Sequence, residues 1–286
     1  MVIREVVRRF VGVSRMRRLV LALTVILATE PVKADFGDGI PAFERGDYQA
    51  AYEIWRPLAE QGDARSQFFV GYFHYEGLGV ARDYVEAVKW YGLAAQQGLP
   101  EAMGSLGLMY RHGLGVDEND EAAAQMLRLA AEQGVPEAQV FLGEMYLAGE
   151  GVEKDDPEAA YWFLRAADQG HPGGQFNLGY MHDLGVGIPE DREKAVVLYR
   201  QAAEQGHAEA QASLGVNYEL GLGVPKDKVQ ALMWMSLAVA QGVEHVRFRR
   251  TYLARQMTDE DVAEAERLAR ERLAIYPGLA YPELDD

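Results

Sequence analysis

Residues 99–134 read LPEAMGSLGLMYRHGLGVDENDEAAAQMLRLAAEQG, and these 36 residues decide the fold. Apolar Leu106, Met109 and Tyr110 recur at helical spacing. Pro100 stands at the helix start, where a missing amide hydrogen costs nothing. Gly113-Leu114-Gly115 ends this first helix, because glycine takes positive φ without steric penalty. Asn119 follows at the point where a second helix needs an N-cap. The second helix runs through Ala123 and the paired Ala130-Ala131 and closes at Gln133-Gly134. One helical hairpin is written in one stretch.

The same hairpin is written repeatedly. Gln61-Gly62, Gln97-Gly98, Gln133-Gly134, Gln169-Gly170, Gln205-Gly206 and Gln241-Gly242 follow one another at a constant step of 36. Gly71, Gly107, Gly143, Gly179 and Gly215 keep that step, as do the Gly-x-Gly pairs beginning at Gly77, Gly113, Gly149, Gly185 and Gly221. Asp83, Asn119, Asp155, Asp191 and Asp227 cap the second helices, and Asp83 with Glu86 and Asp155 with Glu158 have capping-box spacing. The paired alanines, and the glycine that follows Leu106 or Leu142, let neighbouring helices approach closely. Two helices cannot bury their apolar faces alone, so the copies must stack.

The expected fold is therefore all-α: a right-handed superhelical solenoid of antiparallel helix pairs. Five complete pairs span 63–242, and a degenerate first copy covers 35–62, where Ala51, Trp55 and Leu58-Ala59 preserve the second helix. Downstream the period stops. Val243–Gln256 reads as one helix, and Thr258 caps another through about Ile275, so that 243–276 covers the open end of the stack and 277–286 is a tail.

Residues 1–34 are an address rather than part of the fold. Met16-Arg17-Arg18 precedes the uncharged run Leu19–Thr29, and Val32-Lys33-Ala34 places small side chains where a signal peptidase reads. The apolar run is too short for a spanning helix, which needs roughly 20 residues. This order implies cleavage after Ala34, a periplasmic or secreted location and no stable membrane insertion afterwards.

The chain has 28 Lys and Arg against 44 Asp and Glu. Seven of the basic residues but only Glu5 and Glu30 of the acidic ones lie in the leader, so the remainder carries about −21. A surface that acidic repels phosphate backbones, which argues against nucleic acid and for a neutral or basic protein partner. Cysteine is absent, which excludes disulfides, thiolate metal sites and a cysteine nucleophile.

The repeat columns resemble the Sel-one-like repeat, a relative of the tetratricopeptide repeat whose connecting loop carries Gly-x-Gly-Val. The resemblance rests on Leu99 to Ala102, Leu106-Gly107, Tyr110, Gly113 to Val116 and Ala130-Ala131, and it covers about 36–242. It implies protein–protein interaction and scaffolding, often in the cell envelope. Some exported members with paired cysteines in each repeat are described as binding or hydrolysing β-lactams, so a hydrolase acting on cell-wall or β-lactam substrates is the alternative reading. The missing cysteines separate this chain from that subgroup.

No constellation for catalysis, cofactor or metal stands out. His74 and His182 occupy the column of Tyr110, Tyr146 and Tyr218 and read as substituted core aromatics. His171 and His207 begin successive first helices, 36 residues apart, and His112 and His245 are single. The Gly-x-Gly pairs follow helices rather than strands and lack a lysine, so they are connectors and not phosphate cradles. Trp90, Trp162 and Trp234, with Trp55 one residue out of that column, read as core.

A helical wheel of the first helix separates a packing face from an opposite face. The opposite face is centred on Tyr72, Leu108, Glu144, Tyr180 and Val216, flanked by Phe68 on one side and by Tyr75, Arg111, Asp183 and Glu219 on the other. In a tetratricopeptide-like superhelix this side lines a concave groove. These ten residues are the candidate partner-binding set: the aromatics would anchor a protein or peptide segment, and Glu144, Asp183 and Glu219 would favour Lys or Arg in it.

Overall fold

The structure, a computed structural model, describes residues 35–274. The leader assigned to 1–34 and everything after 274 lie outside the described residues. First and second helices alternate along the chain: α1 (Phe36–Glu44), α2 (Tyr48–Glu60), α3 (Ala64–Glu76), α4 (Tyr84–Gln96), α5 (Pro100–Arg111), α6 (Asp120–Glu132), α7 (Pro136–Ala148), α8 (Asp156–Asp168), α9 (Pro172–Leu184), α10 (Arg192–Glu204), α11 (Ala208–Leu220) and α12 (Lys228–Ala240). A 3-10 turn (Glu244–Val246), α13 (Arg247–Ala254) and α14 (Asp259–Leu273) complete the described chain, which holds no strand. The all-α repeat solenoid expected from the periodicity is the fold observed. Two compact units divide it, residues 35–145 with 149–153 and residues 146–148 with 154–274.

The caps are where the repeat columns place them. Asp83, Asn119, Asp155, Asp191 and Asp227 each accept a backbone N–H from the first turn of the second helix through the side chain. The capping boxes expected at Asp83/Glu86 and Asp155/Glu158 do not close. In each, the cap's own amide donates instead to a carbonyl of the preceding first helix, His74 O at 2.9 Å and Tyr146 O at 3.0 Å. The glutamates then turn elsewhere, Glu86 to Lys89 and Glu158 to the Trp162 indole N–H at 3.0 Å. A reciprocal box does form at Asp35 and Asp38, ahead of α1.

Two glycines show why the spacing is rigid. A Cβ on Gly107 would sit 2.9 Å from Leu127 Cγ, so α5 and α6 touch backbone to side chain. Gly115 has φ +71°, and a Cβ there would lie 2.3 Å from the carbonyl carbon and oxygen of Tyr84, at the start of α4. The loop of one repeat is thus pressed against the second helix of the repeat before it.

The Gln of the Gln-Gly column has a bond of its own. Gln97 donates to Gln67 Oε1 at 2.7 Å, and buried Gln67 donates to the Ala59 carbonyl at 3.1 Å, which ties three successive helices. Gln241 and Gln211 repeat the arrangement toward the Ala203 carbonyl. These bonds add a second donor to carbonyls in the last turn of a second helix, which already accept the N–H of Gly62 and of Gly206.

In the first unit the core is aromatic. The Trp55 indole donates to the Phe36 carbonyl at 2.8 Å and stacks on the Phe36 ring at 5.1 Å. Trp90, Trp162 and Trp234 are buried, in agreement with their reading as core. In the second unit Tyr199, Leu214, Trp234, Leu253, Ala265, Ala269 and Leu273 share one cluster.

The expected single helix over 243–256 is broken into a 3-10 turn and α13, since neither a side-chain cap nor a proline organises its first turn. The packing register nevertheless continues. Arg250, Thr251 and Leu253 are buried at the positions 36 residues after Leu214, Gly215 and Asn217. Structurally α13 is one more first helix, although its glycine markers are gone.

Candidate interaction face

The ten residues proposed from the helical wheel separate into two groups. In the first unit, Phe68 is 0% and Tyr72 4% exposed, so neither belongs to an open face. Phe68 packs against Phe69 and Tyr91, both at 5.5 Å between ring centroids, and Tyr72 meets Phe43 of α1 at 6.4 Å. The wheel went wrong here because it treats α3 in isolation, whereas Phe43 of α1 lies beside Tyr72 and Tyr91 of α4 beside Phe68. Tyr75 is half-buried against Tyr84 at 5.5 Å, and that burial raises its pKa. Leu108 is half-buried. Arg111 reaches Glu144 at 3.4 Å and Glu150 at 3.0 Å, with its guanidinium 5.9 Å from the Phe141 ring centroid.

In the second unit Tyr180 is 47% exposed and Val216 half-buried on the next first helix. Asp183 lies 3.8 Å from Arg192, and Glu219 is ion-paired with Arg249. Partial burial raises the Asp183 pKa above its ordinary value, against the opposing pull of Arg192. All three carboxylates expected to attract a basic segment therefore already hold an arginine of the chain itself. The partners sit 33, 9 and 30 residues away, which a wheel drawn on one helix cannot see.

The sequence reading missed four exposed apolar groups of this face, Leu184, Leu220, Phe248 and Tyr252. Leu184 and Leu220 are exposed one turn beyond Tyr180 and Val216. On α13, Phe248 is 81% and Tyr252 58% exposed, their rings stacked at 6.4 Å with an interplanar angle of 12°. Tyr252 stands 36 residues after Val216, which stands 36 after Tyr180. Carrying the step of 36 past the last Gly-x-Gly would have found it. Three first helices of the second unit, α9, α11 and α13, thus each present large apolar side chains at i, i+4 spacing: Tyr180 with Leu184, Val216 with Leu220, Phe248 with Tyr252.

The histidines serve the helices. His182 is buried with Nδ1 3.3 Å from the Pro189 carbonyl, and His74 is half-buried 3.4 Å from the Tyr52 hydroxyl. His171 and His207 are N-caps, accepting the N–H of Gly174 and Ala210 through Nδ1 at 3.3 and 3.2 Å. Among the described residues no group of three His, Asp or Glu is placed to hold a metal ion, and no helix is long and apolar enough to cross a membrane.

The sequence model of the Sel1 repeat matches residues 35–63, 64–99, 100–135, 136–171, 172–207 and 208–243, six consecutive copies. No curated protein matches the sequence. Among solved structures, a Sel1 repeat protein from Oxalobacter formigenes is 33% identical, with 83% of this chain and 99% of that one covered and a TM-score of 0.72. The protein c5321, a protective antigen of uropathogenic Escherichia coli with an SLR fold, is 31% identical over 84% of this chain, with a TM-score of 0.71. This chain spans 54% of that protein's length. With six copies of the repeat, helices that follow its columns and a close structural match along most of its length, the chain belongs to the Sel1 repeat family.

Proposed function

We propose that this protein is an exported interaction scaffold or regulator that holds a segment of an envelope partner on the first helices of its second unit. Sel1 repeat proteins are in general protein–protein interaction modules, which sets the class of activity. The observation that carries the finer reading is the row of apolar pairs on α9, α11 and α13, in which Tyr180, Leu184, Leu220, Phe248 and Tyr252 are exposed and Val216 is half-buried. Solvation alone favours charged side chains at such positions, and an uncovered stacked aromatic pair is the kind of group that anchors interfaces.

Location in the periplasm, or secretion, rests on the order of basic, apolar and small residues before Asp35. A helical or extended peptide laid across α9, α11 and α13 would meet one apolar pair per helix. The internal pairing of Glu144, Asp183 and Glu219 removes the local reason to require Lys or Arg in that peptide. The net acidity of the chain still favours a neutral or basic partner surface, through long-range attraction that salt screens.

The test is a comparison of bait proteins. Residues 35–286 and the Tyr180→Ala/Tyr252→Ala variant are immobilised and exposed to an envelope extract, with circular dichroism confirming equal helicity. A partner retained by the parent should bind the variant with a loss of more than about 2 kcal/mol, the usual hot-spot scale. Equal retention by both baits would show that this face is not the site. Lys89→Ala, on the second helix α4, serves as a control that leaves binding unchanged.

A further inference from the structure

The column that begins the first helices contains Leu99, Val135, His171 and His207 in successive repeats. Leu99 and Val135 make no side-chain cap bond, and a proline at the first helical position follows each. At His207 the next residue is Ala208, and the Ala210 N–H donates to His207 Nδ1. The same imidazole stacks on Phe176 of α9, 4.8 Å between centroids at 24°. Phe176 lies one turn before Tyr180. A single ring therefore fastens the first turn of α11 to the helix that presents Tyr180 and Leu184.

We propose that His207 is a pH-sensitive clamp, holding α9 and α11 in register while neutral and releasing the first turn of α11 when protonated. The consequence for binding rests on the face proposed above, whereas the clamp itself does not. A proton on Nδ1 turns the acceptor into a donor pointed at the Ala210 N–H, so the cap bond is lost. It also places a cation at a helix N-terminus, where the helix dipole is already positive. The aromatic face of Phe176 attracts a cation, but it stacks on the neutral ring as well, so this contact offsets only part of the loss.

The ionisable group that acts on His207 is His171 ahead of α9, while Asp168 ends α8, Glu204 ends α10 and Glu209 lies in the first turn of α11. Glu209 is engaged with His245 Nε2 at 3.8 Å. Burial first, and His171 second, hold the His207 pKa below its ordinary value of 6.5. A base whose folded value is depressed contributes its full stability above the unfolded value. That contribution is lost as pH falls from about 6.5 through the folded value.

Two measurements on the folded chain of residues 35–286, without any partner, test this. Amide hydrogen exchange over 208–214, corrected for intrinsic rates, should speed up roughly three- to tenfold between pH 7.5 and 5.5, the range of one lost cap. His207→Asn, whose amide oxygen caps without titrating, should remove that acceleration. The same acceleration in parent and variant overturns the proposal. So does a His207 ring-proton titration, followed by NMR in the unmodified sequence, with a midpoint at or above 6.5. Because no ligand enters, failure of the clamp and failure of the binding face are separately visible.

Discussion

Replacing Gly115 with alanine tests how the repeats are joined. The residue has φ +71°, so any side chain there carries a left-handed backbone penalty of about 1–2 kcal/mol. The new Cβ would also sit 2.3 Å from the Tyr84 carbonyl, more than an ångström inside contact distance and against backbone that belongs to α4. Relieving that overlap moves the loop away from the previous repeat, and overpacking of this kind costs about 1–3 kcal/mol. The expected total is about 2–5 kcal/mol, the sum of the two terms.

Gly98→Ala is the matched control. Gly98 has φ +85°, but nothing lies within 4 Å of its would-be Cβ, so only the backbone penalty applies. The difference between the two variants isolates the collision. For a chain of this size each kcal/mol lowers Tm by about 2–4 °C, so Gly115→Ala should melt several degrees below Gly98→Ala. Hydrogen exchange should place the extra loss in α4 as well as in the loop, since both sides of the contact are loosened. Equal melting temperatures would mean that the loop moves aside freely and that Gly-x-Gly does not set the spacing between repeats.

Tyr72→Ala should destabilise by about 3–5 kcal/mol, the scale for a deleted buried aromatic, while Tyr180→Ala should stay within about 0.5 kcal/mol. Similar melting curves for the two would contradict their assignment to core and surface. Asp183→Asn should raise stability at pH 7, because the parent there carries a partly buried charge. Its advantage should close as pH falls through the ordinary carboxyl value of 3.8, and a variant less stable than the parent at pH 7 would show that the Arg192 contact outweighs burial. Protein recovered from the periplasm of an expressing cell should have the intact mass of a chain beginning at Asp35, and a species retaining residues 19–34 would refute the cleavage.

The sequence by itself determined the repeat, its length and its chemistry. Each repeat marker answers a local requirement, such as a cap at Asn119, a reversal at Gly113-Leu114-Gly115 or a close approach at Gly107, and local requirements leave residues at fixed offsets. The same periodicity sorted Trp90, Trp162 and Trp234 into the core. What only the tertiary structure decided is which of the remaining positions reach solvent. Tyr72 and Tyr180 occupy one column, yet Tyr72 lies beside α1 and Phe43, while Tyr180 stays open. Glu219 reads as a free acid until α13 brings Arg249 against it from 30 residues away. Phe248 and Tyr252 were hidden because the glycines that announce a repeat are missing from α13, although its buried residues keep the register. Exposure and charge pairing depend on the helix next door, and that neighbour is fixed by packing between repeats rather than by spacing within one.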